Sequence, residues 1–366
     1  MRSIFLSVVF LAFFHSVISA KSPKRKYDLE SWMRTLSPKI RDKKLSQIAI
    51  PGTHNSGSYP IKIGSPMTNL HYLLSDLADS NGEVSPSLMN FVRAVGPGWT
   101  QCQDHSIAEQ LKMGHRYLDL RVYCDEGEYF LHHFFVGSNF TDELVKIAQF
   151  AERQEREVII LHVKSISNCV GGSVRRLLQL IGGIFGDKLA PPPSGTDFIP
   201  TYGDLVKNGT TVVVAMPDGQ GNEIFDWLWD EDRIVDPWAN TASVEKVRSF
   251  VIDKMGESRS PGTLFVSQII LTATTENYMA GFAGSGPSDL REMTLDLNKD
   301  FRSWVGDVKQ LEPNIFITDF ATKSLIRKII DMNFKRDPTR NKKKGSFCLF
   351  VWEPVSPVNV YFKICI

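Results

Sequence analysis

Residues 48–57 read IAIPGTHNSG, and the interpretation of the whole chain depends on this stretch. It begins as a short apolar run of the kind that forms a buried β-strand. Pro51 and Gly52 are expected to end that strand. His54 and Asn55 follow immediately. A histidine in such a turn is compatible with an ordinary loop residue, so the rest of the chain must decide whether it is functional.

Short apolar runs like the first one recur along the chain and alternate with helical patterns. The predicted strands are Gln47–Ile50, Tyr117–Tyr123, Tyr129–Phe134, Val158–Val163, Thr211–Ala215, Leu264–Ile270 and Asn314–Thr318. Most are continuously apolar, which is typical of strands covered on both faces. A capping box, Ser106 with Glu109, begins one of the helices between them. The alternation predicts an α/β protein with a mostly parallel sheet. About seven strands in a chain of this length favour an α/β barrel, complete or incomplete, over an open sheet.

Composition excludes several function classes. The 366 residues carry a net charge of +1, so no overall field favours nucleic acid as a partner. The first predicted strand is followed by neither a dinucleotide-binding GxGxxG turn nor a P-loop.

The N-terminus predicts export. Arg2 precedes the apolar run Ile4–Val17, and small residues follow, so residues 1–20 are interpreted as a signal peptide. A signal anchor is the alternative, but the run is shorter than the roughly 20 residues of a bilayer span. The sequons at Asn139 and Asn208 fit a secreted, extracellular glycoprotein.

The five cysteines match no zinc-binding spacing. An oxidising compartment permits disulfides. Cys124 and Cys169 each follow a predicted strand and could meet at one end of the sheet. Cys102 competes for either partner, and the odd count leaves at least one thiol outside intramolecular pairs.

Chemically versatile side chains stand at the ends of the predicted strands, where barrel enzymes carry their active sites. In chain order these residues are His54 with Asn55, Asp119 with Arg121, His132 with His133, Lys164, and Asp319. Asp119 and Arg121 are two residues apart and therefore share one face of a strand.

This set of side chains suits attack on a phosphodiester. One neutral imidazole can remove a hydroxyl proton while a second, protonated imidazole gives a proton to the leaving oxygen. Arg121 can meet the charge that grows on the phosphoryl oxygens. Aspartates behind the imidazoles can fix their tautomers. No carboxylate cluster is visible, so neither a metal nor another cofactor is predicted.

Three segments reveal a family resemblance: PGTHNS at 51–56, GHRYLDLR at 114–121 and LHH at 131–133. The chain resembles the phosphatidylinositol-specific phospholipase C X-domain family, in particular the X-domain-only proteins and the bacterial enzymes. The likeness runs from residue 29 to 334 and implies a catalytic domain over that range, with the fold of a distorted or incomplete TIM (β/α) barrel. Residues 335–366 form a basic and then apolar tail for which no structure is predicted.

The resemblance also implies roles for individual residues. His54 is the general base on the inositol 2-hydroxyl, and the second histidine is the general acid toward the diacylglycerol oxygen, which releases a cyclic inositol phosphate. His132 and His133 are both open for that second role, and counting back from the strand after Glu157 favours His133. The family usually has glycine after this histidine, where Phe134 stands here.

Further roles follow from the same resemblance. Asp319 matches the carboxylate that orients the base, and Asp119 matches one beside the arginine. Arg121 stands where calcium-dependent relatives carry a metal-binding carboxylate, so calcium independence is expected. Lys164 matches an inositol-contacting lysine of the bacterial enzymes, and Asn55 joins it as a substrate-binding candidate.

The leading hypothesis is a secreted phosphodiesterase or lyase that cleaves phosphatidylinositol-type lipids, or the similar linkage of GPI anchors, at a membrane surface. The alternative is a catalytically weak barrel that binds lipid or inositol phosphate. A metal-dependent glycerophosphodiesterase is a third possibility, against which Arg121 argues. Trp227, Trp229 and Trp238 form either an interfacial patch or a buried cluster. No oligomeric state follows from the sequence.

Overall fold

The computed structural model describes residues 27–68, 84–195, 198–217 and 225–334, with the backbone of two short strands at 348–350 and 363–365. The predicted signal peptide and most of the tail at 335–366 lie outside these residues. Within them, no helix combines the length and the apolar character needed to cross a bilayer.

Ten strands form the main sheet. They are β1 (Ile50–Thr53), β2 (Tyr117–Asp125), β3 (Glu128–His133), β4 (Phe135–Asn139), β5 (Ile159–Ser167), β6 (Val212–Met216), β7 (Leu228–Asp230), β8 (Ile234–Val235), β9 (Leu264–Ile269) and β10 (Ile315–Thr318). Eight of them are parallel neighbours in the order β7-β6-β5-β2-β1-β10-β9-β8. In the described part of the chain β7 and β8 do not pair with each other, so the barrel is incomplete, as predicted. The tail adds a separate antiparallel pair, β11 (Cys348–Phe350) and β12 (Lys363–Cys365).

Ten helices accompany these strands in the described part of the chain. They are α1 (Trp32–Ile40), α2 (Pro86–Thr100), α3 (Ile107–Lys112), α4 (Phe140–Arg153), α5 (Ser173–Phe185), α6 (Tyr202–Asn208), α7 (Val244–Gly256), α8 (Thr275–Phe282), α9 (Leu290–Trp304) and α10 (Lys323–Asp331). The predicted capping box of Ser106 and Glu109 begins α3. Alternate strand residues divide between an inner core, which α1 joins, and outer cores against the covering helices. This division is the pattern of a strand buried on both faces.

The first strand corrects one expectation, because β1 runs through Pro51 and Gly52 instead of ending there. Pro51 has no N–H, but its carbonyl accepts a hydrogen bond from the Arg116 N–H at 2.9 Å. A Cβ on Gly52 would lie 3.0 Å from side-chain atoms of both Tyr117 and Ile317. Glycine therefore permits the close approach of neighbouring strands immediately before His54.

The structure also corrects the role predicted for the third strand. β3 runs antiparallel to β2, with Val122 opposite Leu131, so it forms a hairpin and not a barrel strand. His132 and His133 therefore do not lie at the C-terminal end of a barrel strand. The hairpin extends past the barrel edge and carries them back toward it.

Cys124 and Cys169 form a disulfide, with Cα atoms 5.0 Å apart, which confirms the predicted pair. It joins the end of β2 to the loop after β5, two strands that are already parallel neighbours. Cys102 is the free cysteine of the described residues and is buried.

A buried ion pair fixes the segment that enters β2. The side chains of Arg116 and Glu157 are both fully buried and approach to 2.8 Å. Arg116 also donates to the carbonyls of Leu111 and Glu30, while Glu157 accepts from the Arg34 N–H. Removing one partner of such a pair leaves a buried charge without compensation.

We expect Glu157→Gln to lower the free energy of unfolding by about 3 kcal/mol, because Arg116 would keep its charge without its carboxylate. Denaturant titration measures this loss. The matched control is Glu257→Gln, which breaks the surface pair with Lys254, where Glu257 is 58% exposed. That change should cost less than about 0.5 kcal/mol. Equal losses in the two variants would contradict the prediction.

Candidate active site

A cavity of about 610 Å³ lies at the C-terminal ends of the strands. Eight candidate residues were predicted from the sequence. Six of them line this cavity: His54, Asn55, Arg121, His133, Lys164 and Asp319. The seventh, Asp119, is fully buried and contacts Arg121. The structure thus brings together side chains from β1, the β2–β3 hairpin, β5 and β10.

His54 and Asp319 form a hydrogen-bonded pair. The Nδ1 atom of His54 lies 2.8 Å from Oδ1 of Asp319, which is only 1% exposed. Since a carboxylate accepts, Nδ1 carries the proton and Nε2 is the acceptor nitrogen, which the Asn55 amide Nδ2 approaches at 3.2 Å. The Gln103 amide holds this turn by donating to the carbonyls of His54 and Thr318. The geometry is that of an oriented general base.

The two adjacent histidines have different surroundings. His133 lines the cavity and donates from Nδ1 to the Thr100 carbonyl at 2.7 Å, while its ring centroid lies 6.3 Å from that of His54. Nδ1 of His132 instead lies 3.0 Å from the Thr68 hydroxyl, and its ring packs against Tyr123. Only His133 therefore faces His54 across the cavity, as strand alternation predicts.

Burial and the positive charge of Arg121 lower the pKa of His133 to about 3. Burial and Arg121 also lower the pKa of His132, to about 4. At neutral pH both rings are therefore uncharged in the free protein. A negative charge in the cavity would raise the pKa of His133, because an opposite charge favours the protonated form.

Arg121 and Asp119 form the predicted pair on one strand face. Arg121 Nε donates to Oδ1 of Asp119 at 3.3 Å, and the Arg121 side chain is 27% exposed toward the cavity. Burial alone would raise the pKa of Asp119, but Arg121, with smaller effects of His54 and Lys164, holds it well below its ordinary value. The carboxylate thus stays ionised and orients a guanidinium that faces the cavity.

Lys164 lies in the cavity wall and forms an ion pair with Asp236, a wall residue that the sequence did not single out. Asn55 also lies in the wall, where its amide Nδ2 approaches Nε2 of His54 at 3.2 Å. Both substrate-binding candidates therefore reach the cavity, although each already has a protein partner.

Three residues with left-handed backbone directly follow site residues. Asn55 (φ 41°) follows His54, Phe134 (φ 61°) follows His133, and Phe320 (φ 48°) follows Asp319. This conformation is costly for a residue with a side chain, and more so for a bulky one. This cost explains why glycine would suit position 134, where the family that the sequence resembles usually has glycine. The chain thus turns sharply after each of these three site residues.

Apolar side chains also line this cavity, and they are called its apolar wall here. Trp238 in it is 49% exposed, whereas Trp229 is fully buried. The three tryptophans therefore do not form one cluster, and only Trp238 lies at the cavity. The other apolar lining residues are Trp99, Phe134, Ile270, Leu271, Ala273, Tyr278 and Leu290. A cavity lined by both charged and apolar side chains suits an amphiphilic ligand.

Among the described residues, one group offers three metal-ligand atoms within 4.8 Å of one another: His54, Cys102 and Asp319. Sequence reasoning missed Cys102 as a site residue because it precedes α3 in a segment without periodic pattern. Asp236 was missed because only the tryptophans of its acidic stretch were considered as functional residues.

The chain is similar to known phospholipase C proteins. A sequence model described as "Phosphatidylinositol-specific phospholipase C, X domain" matches residues 96–208. PI-PLC X domain-containing protein 2 of Homo sapiens is 30% identical over 259 residues, which are 69% of this chain and 81% of that protein. PI-PLC X domain-containing protein 1 of Homo sapiens is 29% identical over 282 residues, which are 75% of this chain and 82% of that protein.

Solved bacterial structures share the fold. Phosphatidylinositol-specific phospholipase C from Listeria monocytogenes superposes with a TM-score of 0.58 at 20% identity, covering 84% of this chain and 99% of that one. A pentafluoro-Phe-containing phosphatidylinositol-specific phospholipase C from Staphylococcus aureus superposes with a TM-score of 0.59 at 17% identity. The match covers 84% of this chain and 98% of that one.

Proposed function

The chain belongs to the PI-PLC X domain-containing family, and from this premise we propose that it cleaves the glycerophosphate bond of phosphatidylinositol-type lipids or GPI anchors. The reaction proceeds by histidine acid–base catalysis and needs no metal. One observation carries the proposal: His54 and His133 face each other with ring centroids 6.3 Å apart, and Arg121 lines the same cavity. Both imidazoles and the guanidinium can therefore contact a single phosphate group in the cavity.

The proton transfers are assigned to specific atoms. Nε2 of His54 accepts the proton of the inositol 2-hydroxyl, whose oxygen attacks phosphorus, while Asp319 holds Nδ1–H. His133 donates a proton from Nε2 to the departing diacylglycerol oxygen, and the product is a cyclic inositol phosphate. The phosphate anion supplies the negative charge that raises the pKa of His133, because an opposite charge favours the protonated form. Substrate binding thus favours the protonated, positively charged form of His133, which is the general acid.

Secretion is part of the proposal. The Cys124–Cys169 disulfide supports it, because such bonds persist mainly in oxidising compartments. In that setting the substrate lies in an outer membrane leaflet, and the apolar wall of the cavity accepts part of the lipid.

The exposed apolar residues of α8 are proposed to contact the bilayer. Met279 is 59% exposed and Phe282 is 68% exposed. The helix begins a few residues after β9, and Tyr278 on it lines the cavity. These apolar groups therefore lie beside the cavity mouth.

We expect Phe282→Ser to lower the cleavage rate on phosphatidylinositol vesicles about tenfold, because roughly 1.4 kcal/mol of apolar transfer is lost. The rate on a water-soluble inositol phosphodiester should not change. Parallel rate measurements test both statements. The matched control, Val145→Ser, alters an exposed residue in the middle of α4 and should affect neither rate. Equal losses on the soluble and vesicle substrates would exclude a role in membrane contact.

The central test is an assay of phosphatidylinositol cleavage with and without a chelator. We expect release of a cyclic inositol phosphate at a rate that the chelator does not lower, because Arg121 supplies the positive charge at the phosphate. Activity that disappears with chelator would overturn the metal-free mechanism. Stoichiometric binding without product would instead support the alternative of a catalytically weak binding barrel.

A further inference from the structure

We propose that His54, Cys102 and Asp319 form a binding site for a thiophilic divalent cation, with Zn²⁺ as the probe, and that the bound cation inhibits the enzyme. The binding part stands by itself. The inhibitory part rests on the proposed function, because it assumes that His54 acts as the base.

Cys102 is held firmly beside the two imidazoles. Its backbone N–H donates to the Ser58 carbonyl at 3.0 Å, and its own carbonyl accepts from the Phe320 N–H at 3.0 Å. Its Sγ lies 3.6 Å from Nδ1 of His133 and 3.7 Å from Nδ2 of Asn55. The thiol is fully buried and carries no disulfide. It is therefore a fixed sulfur donor at the base, with no assigned part in the acid–base chemistry.

The spacing of the donors suits a small cation. In a tetrahedral zinc site with bonds of about 2.0–2.3 Å, neighbouring ligand atoms lie about 3.3–3.7 Å apart. Here the His54–Asp319 contact is 2.8 Å, and all three ligand atoms lie within 4.8 Å of one another. Side-chain shifts of about 1 Å bring them to zinc distances, and the cavity leaves a fourth position for water or a phosphate oxygen.

A second observation points to a missing ligand. Oδ2 of Asp319 is buried and has no hydrogen-bond partner among the described residues, although Asp319 is only 1% exposed. Oδ1 of Asn55, on the other side of His54, is also buried and without such a partner. Buried oxygens of this kind are rare in folded proteins because they lose hydration without compensation. A cation beside His54 and Asp319 would satisfy the carboxylate oxygen.

The donor types select the cation. Imidazole nitrogen, thiolate sulfur and a carboxylate oxygen together suit Zn²⁺, whereas Mg²⁺ and Ca²⁺ prefer oxygen ligands. Binding releases the Cys102 proton to solvent and moves the His54 proton from Nδ1 to Nε2, so that Nδ1 can ligate the ion and Nε2 can no longer accept a proton. The thiolate and the Asp319 carboxylate then supply two negative charges against the two positive charges of the ion.

The binding experiment uses the full chain and measures Zn²⁺ affinity by equilibrium dialysis. Co²⁺ serves as a spectroscopic probe, since a thiolate ligand gives a charge-transfer band. We expect one Co²⁺ band of this kind in the wild type, and we expect Cys102→Ser to remove the band and weaken Zn²⁺ binding at least tenfold. The matched control is the double change Cys348→Ser with Cys365→Ser, which should keep the band. No binding, or equal affinity in Cys102→Ser, would overturn the site.

The activity experiment compares each variant with its own rate in metal-free buffer. We expect Zn²⁺ to inhibit the wild type at concentrations at least tenfold lower than it inhibits Cys102→Ser, and Mg²⁺ and Ca²⁺ to have no effect at those concentrations. A Cys102-dependent band without inhibition would disprove the inhibitory role. A chain without any turnover would refute the proposed function, while the dialysis and the spectrum would still decide the cation site.

Discussion

His54→Ala is expected to lower kcat for phosphatidylinositol cleavage about 10⁴-fold. The variant removes the one nitrogen that is oriented by Asp319 and positioned to accept the attacking hydroxyl proton, and general acid–base catalysis contributes up to about that factor. The KM should change little, because the phosphate and the lipid keep their contacts with Arg121 and the apolar wall. Product formation over time at saturating vesicles measures the effect.

The control for this variant is His105→Ala, because His105 is a surface histidine with a side chain that is 47% exposed. It should keep the wild-type rate. Thermal unfolding of both variants checks that the barrel remains folded. If His54→Ala kept more than a tenth of the wild-type rate, His54 would not be the base.

Arg121→Lys is expected to lower kcat/KM by about 10³-fold. Lysine keeps the positive charge, but it loses the planar fork that can donate to two phosphoryl oxygens while Asp119 holds it. A preorganised donor at a developing charge contributes about 10²–10³-fold, because that charge grows in the transition state. Rates at low substrate concentration measure kcat/KM directly.

A second set of variants separates catalysis from folding. Arg121→Met leaves the Asp119 carboxylate buried without its partner, which should lower the free energy of unfolding by roughly 2 kcal/mol. Combining it with Asp119→Asn removes that charge and should restore most of the stability without restoring the rate. A double variant with near wild-type kcat/KM would show that Arg121 acts only on stability.

The barrel could be predicted because its long strands are nearly continuous apolar runs. Each predicted strand overlaps an observed one, from Ile50 in β1 to Thr318 at the end of β10. The short strands β4, β7 and β8 were missed. They have two to five residues, and such segments form strands by pairing with neighbours and not through a periodic pattern of their own.

The site was predicted in chemical composition but not in arrangement. His54, Arg121 and Asp319 could be found because polar groups are conspicuous at the ends of apolar strands. The direction of β3, the strand that carries His133, could not be predicted. A strand has the same apolar sequence pattern whether it pairs with its neighbour in parallel or antiparallel. Cys102 and Asp236 reach the cavity only through tertiary packing, so no local pattern marks them.

The position of β1 between β2 and β10 has a consequence for biosynthesis. His54 and Asp319 are 265 residues apart, and the strands that carry them are hydrogen-bonded neighbours. A polypeptide still on the ribosome therefore contains the imidazole long before its carboxylate partner has been translated. Contacts between such distant segments form late in folding. Under the proposed function, a chain that ends before position 315 would therefore contain both histidines but not the carboxylate that orients the base, and it would not cleave lipid.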